Sequence, residues 1–257
     1  MLAGRPAGRN VVLRRIFTAA FGCTAVIWGL TTLPIFWRQS TLERTAQEII
    51  NGEPFKVEVL AGDLPLIETI EKTTFCRPAA LRSAAIIRIR IAEEGRSEGV
   101  KEKSDAQMNA ATDSVRESLS CSPADPFLWL ALYWLDSTQH GLRPEDLKYL
   151  ELSYQLGPNE GWIALKRNSA AFGIFQQLPS NLAELAINEF VGLLKAGFYE
   201  QAAEIFTGPA WPERGLILPH LASIAKLDRQ RFWEALYRRG YDVNVPGVAR
   251  RESPPWQ

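Results

Sequence analysis

The chain is poor in the residues that carry chemistry unaided. Among 257 residues there are two histidines, His140 and His220, and three cysteines, Cys23, Cys76 and Cys121. A metal centre needs three or four convergent ligands, and none of the usual Cys and His spacings occurs, so no metal is expected. Also missing are a Gly-x-Ser-x-Gly elbow, a phosphate-cradling glycine loop and a dinucleotide fingerprint. Positive and negative side chains balance at 29 each, which leaves no net charge to hold nucleic acid. Neither a cofactor nor a nucleic-acid partner is expected. The 16 prolines and 18 glycines are scattered as punctuation and form no low-complexity run.

One long hydrophobic run is present. From Ile16 to Trp37 there is no charged residue, with Arg5, Arg9, Arg14 and Arg15 before it and Arg38 after. About 22 residues rising about 1.5 Å each cover about 33 Å, the thickness of a bilayer's hydrocarbon. Residues 16–37 are therefore expected to be a transmembrane anchor. The arginines place the 1–15 tail in the cytoplasm and everything beyond the anchor across the membrane. A cleaved signal has a shorter apolar core and small residues at its exit. Here the exit reads Thr31-Thr32-Leu33-Pro34-Ile35-Phe36-Trp37, so the helix is expected to be retained.

The two cysteines outside the span test this topology. Ala80, Ala84, Ile87 and Ile91 fall on one helical face between Pro78 and Glu94, and Met108, Ala111, Val115 and Leu119 on another between Ser104 and Ser120. The Gly95–Gly99 link between them reads as a turn. Two antiparallel helices of similar length bring the start of the first beside the end of the second, where Cys76 and Cys121 lie. A disulfide is expected there, provided that the compartment is oxidising.

The remaining chain reads as helices. Leu42, Ala46, Ile49 and Ile50 extend the anchor helix as far as Asn51-Gly52. Phe55 to Leu60 is read as extended linker, and Asp63 as a cap for a helix over Leu66 to Thr73. Residues 38–75 form this membrane-proximal segment and 76–122 the disulfide-linked hairpin. From 123 to 240, helices follow through Trp129 to Leu135, Leu147 to Tyr154, Trp162 to Phe172, Leu182 to Leu193, Tyr199 to Phe206, Glu213 to Lys226 and Asp228 to Arg239. Gly141, Gly157-Pro158, Pro179, Gly197, Gly208-Pro209 and Gly240 separate them. Residues 241–257 are read as a flexible tail. The fold class is all-α, a single N-terminal transmembrane helix followed by stacked α-hairpins.

The stretch Leu193-Leu194-Lys195-Ala196-Gly197-Phe198-Tyr199-Glu200-Gln201-Ala202-Ala203-Glu204-Ile205-Phe206 resembles the tetratricopeptide repeat. Gly197 matches the glycine between its helices, Ala202 the small packing position and Phe206 the aromatic one. A second match joins Trp129 and Leu132 to the closing Pro158, about one residue longer than the usual spacing. The resemblance covers about residues 123–240 and implies a concave surface that holds peptides or proteins and performs no reaction. Trp129, Tyr133, Trp134 and Trp162 are the candidate groove aromatics, and each also reads as ordinary helix core.

Glu93-Glu94, Glu145-Asp146 and Glu151 offer paired carboxylates for a carbohydrate-active hydrolase, and equally read as solvated helix faces. Arg229, Arg231, Arg238 and Arg239 offer a basic surface, in part accounted for by helix C-terminal charge. The expectation is a single-pass protein of a bacterial inner membrane with a periplasmic helical-repeat domain. It is read as a non-enzymatic adaptor binding protein partners in a cell-envelope assembly, with polysaccharide biosynthesis or export as the setting. Alternatives are an accessory subunit of a larger membrane complex and the hydrolase.

Overall fold

The computed structural model describes residues 7–73, 75–97 and 101–249. It is all-α, with no strand among the described residues. The chain forms two compact units, divided between Ala110 and Ala111.

In the first unit α1 runs unbroken over Ala7–Ile50. Within it Val12–Leu33 is long and apolar enough to cross a membrane, and none of that stretch is buried. Beyond it α1 becomes an ordinary core helix, with Leu42 0% and Ala46 3% exposed where it packs on α4, Pro78–Ser97. Two short helices intervene, α2 over Val57–Ala61 and α3 over Leu64–Glu71. α2 replaces the expected linker because folding its one turn lets Leu60 be fully buried. Asp63 precedes α3, but its backbone is already helical (φ −84°, ψ −13°) and its side chain makes no cap. A capping side chain needs an extended backbone at that position to reach the first amides. Glu71 receives Arg88 as a fork, from Nε at 2.8 Å and Nη2 at 2.7 Å, which ties α3 to α4.

The expected faces of the hairpin are buried: Ala80, Ala84, Ile87 and Ile91 on α4, and Met108, Ala111, Val115 and Leu119 on α5, Lys101–Cys121. α4 continues through Gly95, which lies under the Gln107 side chain, so the helix outruns the expected turn. The rest of that turn lies outside the described residues. The unit boundary falls inside α5, and the 76–122 hairpin is thus divided between the two units. Cys76 and Cys121 are disulfide-bonded, and Cys23 is the free cysteine.

The second unit contains α6 Pro126–His140, α7 Leu147–Leu156, α8 Gly161–Gly173, α9 Ser180–Lys195, α10 Tyr199–Thr207, α11 Arg214–His220 and α12 Lys226–Arg238. Asp125 caps α6, accepting from the amides of Phe127 at 2.9 Å and Leu128 at 3.3 Å. α6 packs on α7, α8 on α9 and α10 on α12. The expected helix over Glu213 to Lys226 is instead broken into a 3-10 turn, α11 and a second 3-10 turn over Leu221–Ser223. Pro219, inside α11, supplies no amide and crowds the preceding turn, so regular helix ends there.

Phe190, Phe206 and Phe232 are fully buried and meet largely edge-on, with Phe206 and Phe232 5.4 Å apart at 90°. Edge-to-face contact suits the ring quadrupoles and adds about 0.5–1.5 kcal/mol per pair beyond area burial. Residues 241–248, read as part of a flexible tail, lie down on this core, with Val243 and Val245 buried in it.

Candidate functional site

Of the residues quoted for the repeat resemblance, Ala202, Phe206 and Leu132 are buried, and Gly197 and Pro158 are exposed. Gly197 has φ +87°, a left-handed conformation that closes α9 and opens α10 at no steric cost to glycine. Ala202 and Phe206 are fully buried on α10, and Leu132 is 3% exposed on α6. Pro158 is exposed beside Gly157, whose backbone lies against the Pro126 ring.

Of the four groove aromatics, Tyr133 is buried and Trp129, Trp134 and Trp162 are half-buried. Tyr133 is in the core with Leu130, Leu150 and Ile163. Burial and the Asp146 charge push its hydroxyl up to about 12. Trp162 is half-buried against Phe127, ring centroids 5.0 Å apart. Trp129, also half-buried, stacks on Tyr149 at 5.8 Å and donates from Nε1 to the Pro123 carbonyl at 2.7 Å. Trp134 lies five residues along α6, about 140° around the helix from Trp129 at about 100° per residue. Trp129 and Tyr133, four residues apart, lie only about 40° apart around α6, and Trp134 is turned away from both.

A buried polar cluster lies where α7, α8 and α9 meet. Arg167 is fully buried on α8. It donates to the Ser153 carbonyl, to Ser153 Oγ at 3.0 Å and to the Gly157 carbonyl at 2.9 Å, all at the C-terminal end of α7. These groups include the helix carbonyls left without an intrahelical amide, and a cation there also complements the helix dipole. Arg167 Nε reaches Glu189 Oε1 on α9 at 3.0 Å, Nη2 bonds the same oxygen, and the guanidinium lies over the Tyr154 ring at 4.3 Å. Desolvation raises the Glu189 carboxyl, with Arg167 opposing, and it also raises the Tyr154 hydroxyl well above its ordinary value. Sequence reasoning passed over Arg167, yet the signal is there: 163, 164, 167, 168, 171 and 172 form one helical stripe of buried residues.

The paired acids are engaged by neighbouring arginines. Arg90 bridges Glu93 at 3.2 Å and also Glu94. Arg143 holds Asp146 at 2.9 Å, and Glu145 is exposed. The basic run of α12 stays on the surface, where neighbouring side chains engage it. Arg238 pairs with Glu200, Arg239 with Glu204 at 3.7 Å, and Arg231 lies over the Tyr199 ring. The ring nitrogens Nδ1 of His140 and His220 face the carbonyls of Asp136 and Leu216 on their own helices. No group of three metal-ligating side chains occurs among the described residues.

Comparison with protein-family models, curated proteins and solved structures finds no match to this chain.

Proposed function

We propose that this is a membrane-tethered, non-enzymatic adaptor whose helical units engage a protein partner in a bacterial envelope assembly. In this reading α1 stays in the inner membrane with Arg14 and Arg15 on the cytoplasmic side, and the helical units stand in the oxidising periplasm. The observation that carries it is the continuity of α1, whose bare apolar stretch ends at Leu33 and whose buried core face has begun by Gln39, 8% exposed. Six residues of helix rise only about 9 Å, so the folded unit begins close to the lipid surface. A row of exposed apolar side chains such as Phe17 (76%) and Leu30 (69%) needs a cover, and lipid provides one along the whole length. The disulfide accords with an oxidising compartment. The setting in polysaccharide synthesis or export is proposed by association alone.

Photo-cross-linking from exposed positions of residues 123–240 in intact membranes tests the reading. One or a few membrane or periplasmic proteins are expected in the cross-linked bands. Recovery of none, with the chain intact in the membrane fraction, contradicts it. A chain degraded whenever it is expressed alone is instead a fixed subunit of a larger complex.

A further inference from the structure

Many arginines of the helical units meet an acid or a ring. Arg88 holds Glu71, Arg143 holds Asp146, Arg167 holds Glu189, and Arg214 lies over the Trp211 ring. Arg14 and Arg15 on α1 differ, since no ion pair engages either of them among the described residues. The first acid after them in the chain is Glu43, about 42 Å further along the same helix.

Their depth follows from their neighbours. Val12 (55%) and Leu13 (60%) before them, and Ile16 (63%) and Phe17 (76%) after them, are all exposed apolar side chains. The two arginines thus lie within the apolar stretch Val12–Leu33, about 3–5 Å inside its first end. From there a guanidinium on its flexible stem reaches the headgroup layer while the stem stays in hydrocarbon. One helical turn further on come Thr18 and Ala19, two small side chains, and the four residues line a shallow open notch. The Thr18 hydroxyl is already satisfied, donating to the Arg14 carbonyl at 2.8 Å. The guanidiniums are the polar groups of the notch left to hold a ligand.

A guanidinium at an apolar boundary needs an anion, and this stretch of chain supplies none. A phosphate takes the guanidinium edge through two parallel bonds, and the bilayer offers phosphates at this depth. A zwitterionic headgroup brings its own ammonium to offset that attraction, whereas an anionic one adds net negative charge. We propose that Arg14, Arg15, Thr18 and Ala19 form a binding site for one anionic phospholipid. The two arginines hold its phosphate, and an acyl chain lies along α1 over Thr18 and Ala19. This rests on the membrane-tethered reading and adds the class of lipid that the tether selects.

The test uses the full chain in detergent micelles doped with palmitoyl-oleoyl phosphatidylglycerol or with phosphatidylcholine of the same acyl chains, bound lipid being counted by native mass spectrometry. The wild type is expected to hold phosphatidylglycerol about tenfold more tightly. Arg14→Gln/Arg15→Gln is expected to hold the two lipids equally. Arg14→Lys/Arg15→Lys, which keeps the charge and loses the planar fork, is expected to keep part of the preference. Both side chains are exposed, so the variants are expected to fold as the wild type does, which circular dichroism checks. The inference is overturned if the wild type holds both lipids equally or if the glutamine variant keeps the full preference. It is also overturned if millimolar inorganic phosphate displaces the lipid, which assigns the notch to the free anion. Equal lipid binding by a chain retained in carbonate-washed membranes removes this inference alone. A preference in micelles by a chain that cells keep in the soluble fraction removes the tether alone.

Discussion

Arg167 on α8 and Glu189 on α9 form an ion pair inside the second unit, with Nε to Oε1 at 3.0 Å and side chains 0% and 7% exposed. Removing one partner leaves the other charged and without compensation in a poorly solvating interior. Arg167→Met is therefore expected to cost about 3–5 kcal/mol. The double variant with Glu189→Met is expected to recover part of the loss, with a coupling of about 0.5–3 kcal/mol. Urea unfolding of the four proteins measures both, and strictly additive losses would show that the pair is not coupled.

The same carboxyl makes a signed pH prediction. Burial raises Glu189 above its ordinary 4.5 in the folded state. The folded chain thus binds more proton than the unfolded chain from about that pH up to the folded pKa. The contribution to stability is fully present below the unfolded value and is lost as pH rises through the folded one. Relative to Glu189→Gln, the wild type is expected to lose stability as pH rises above about 4.5. Parallel unfolding midpoints for the two proteins across pH 4 to 7 would contradict the assignment.

The bond between Cys76 and Cys121 closes a loop of about 45 residues, for which chain entropy gives about 4 kcal/mol. Cys76→Ala/Cys121→Ala is expected to lower the unfolding free energy by about that amount, less any relief of native strain. Calorimetry of the oxidised protein and the variant compares them directly. Thiol labelling of intact membranes adds a topological readout. On the proposed topology, Cys23 is expected to stay unreactive until detergent is added, and the other two to react only after treatment with a reductant that reaches the periplasm.

Leu42 lies on the same helix as the stretch that is apolar enough to cross a membrane, but is fully buried. Leu42→Ala is expected to cost the first unit about 2–5 kcal/mol, as large-to-small core changes do. Retention of the chain in carbonate-washed membranes should not change. Protease digestion of membranes separates the two effects, since faster cleavage of the folded unit with an intact anchor is the expected outcome. Unchanged cleavage would mean that α1 contributes only a tether.

The sequence by itself determined what is local. Proline, glycine and Asp125 punctuate the helices near the observed ends of α6 to α10, because caps and breakers act within a turn or two. The apolar run made α1 legible, and the two hairpin faces followed from their 3.6-residue period. Tertiary structure decided what fills the buried sites. A lone turn such as α2 forms because Leu60 finds a core, a gain no local propensity encodes. Arg167 is admitted to the interior because carbonyls from α7 and a carboxylate from α9 converge on it. Residues 241–245 are held because α10, α12 and Trp211 leave room for two valines and a tyrosine. In each case at least one deciding partner lies on another helix, and the partners meet only once the helices have packed.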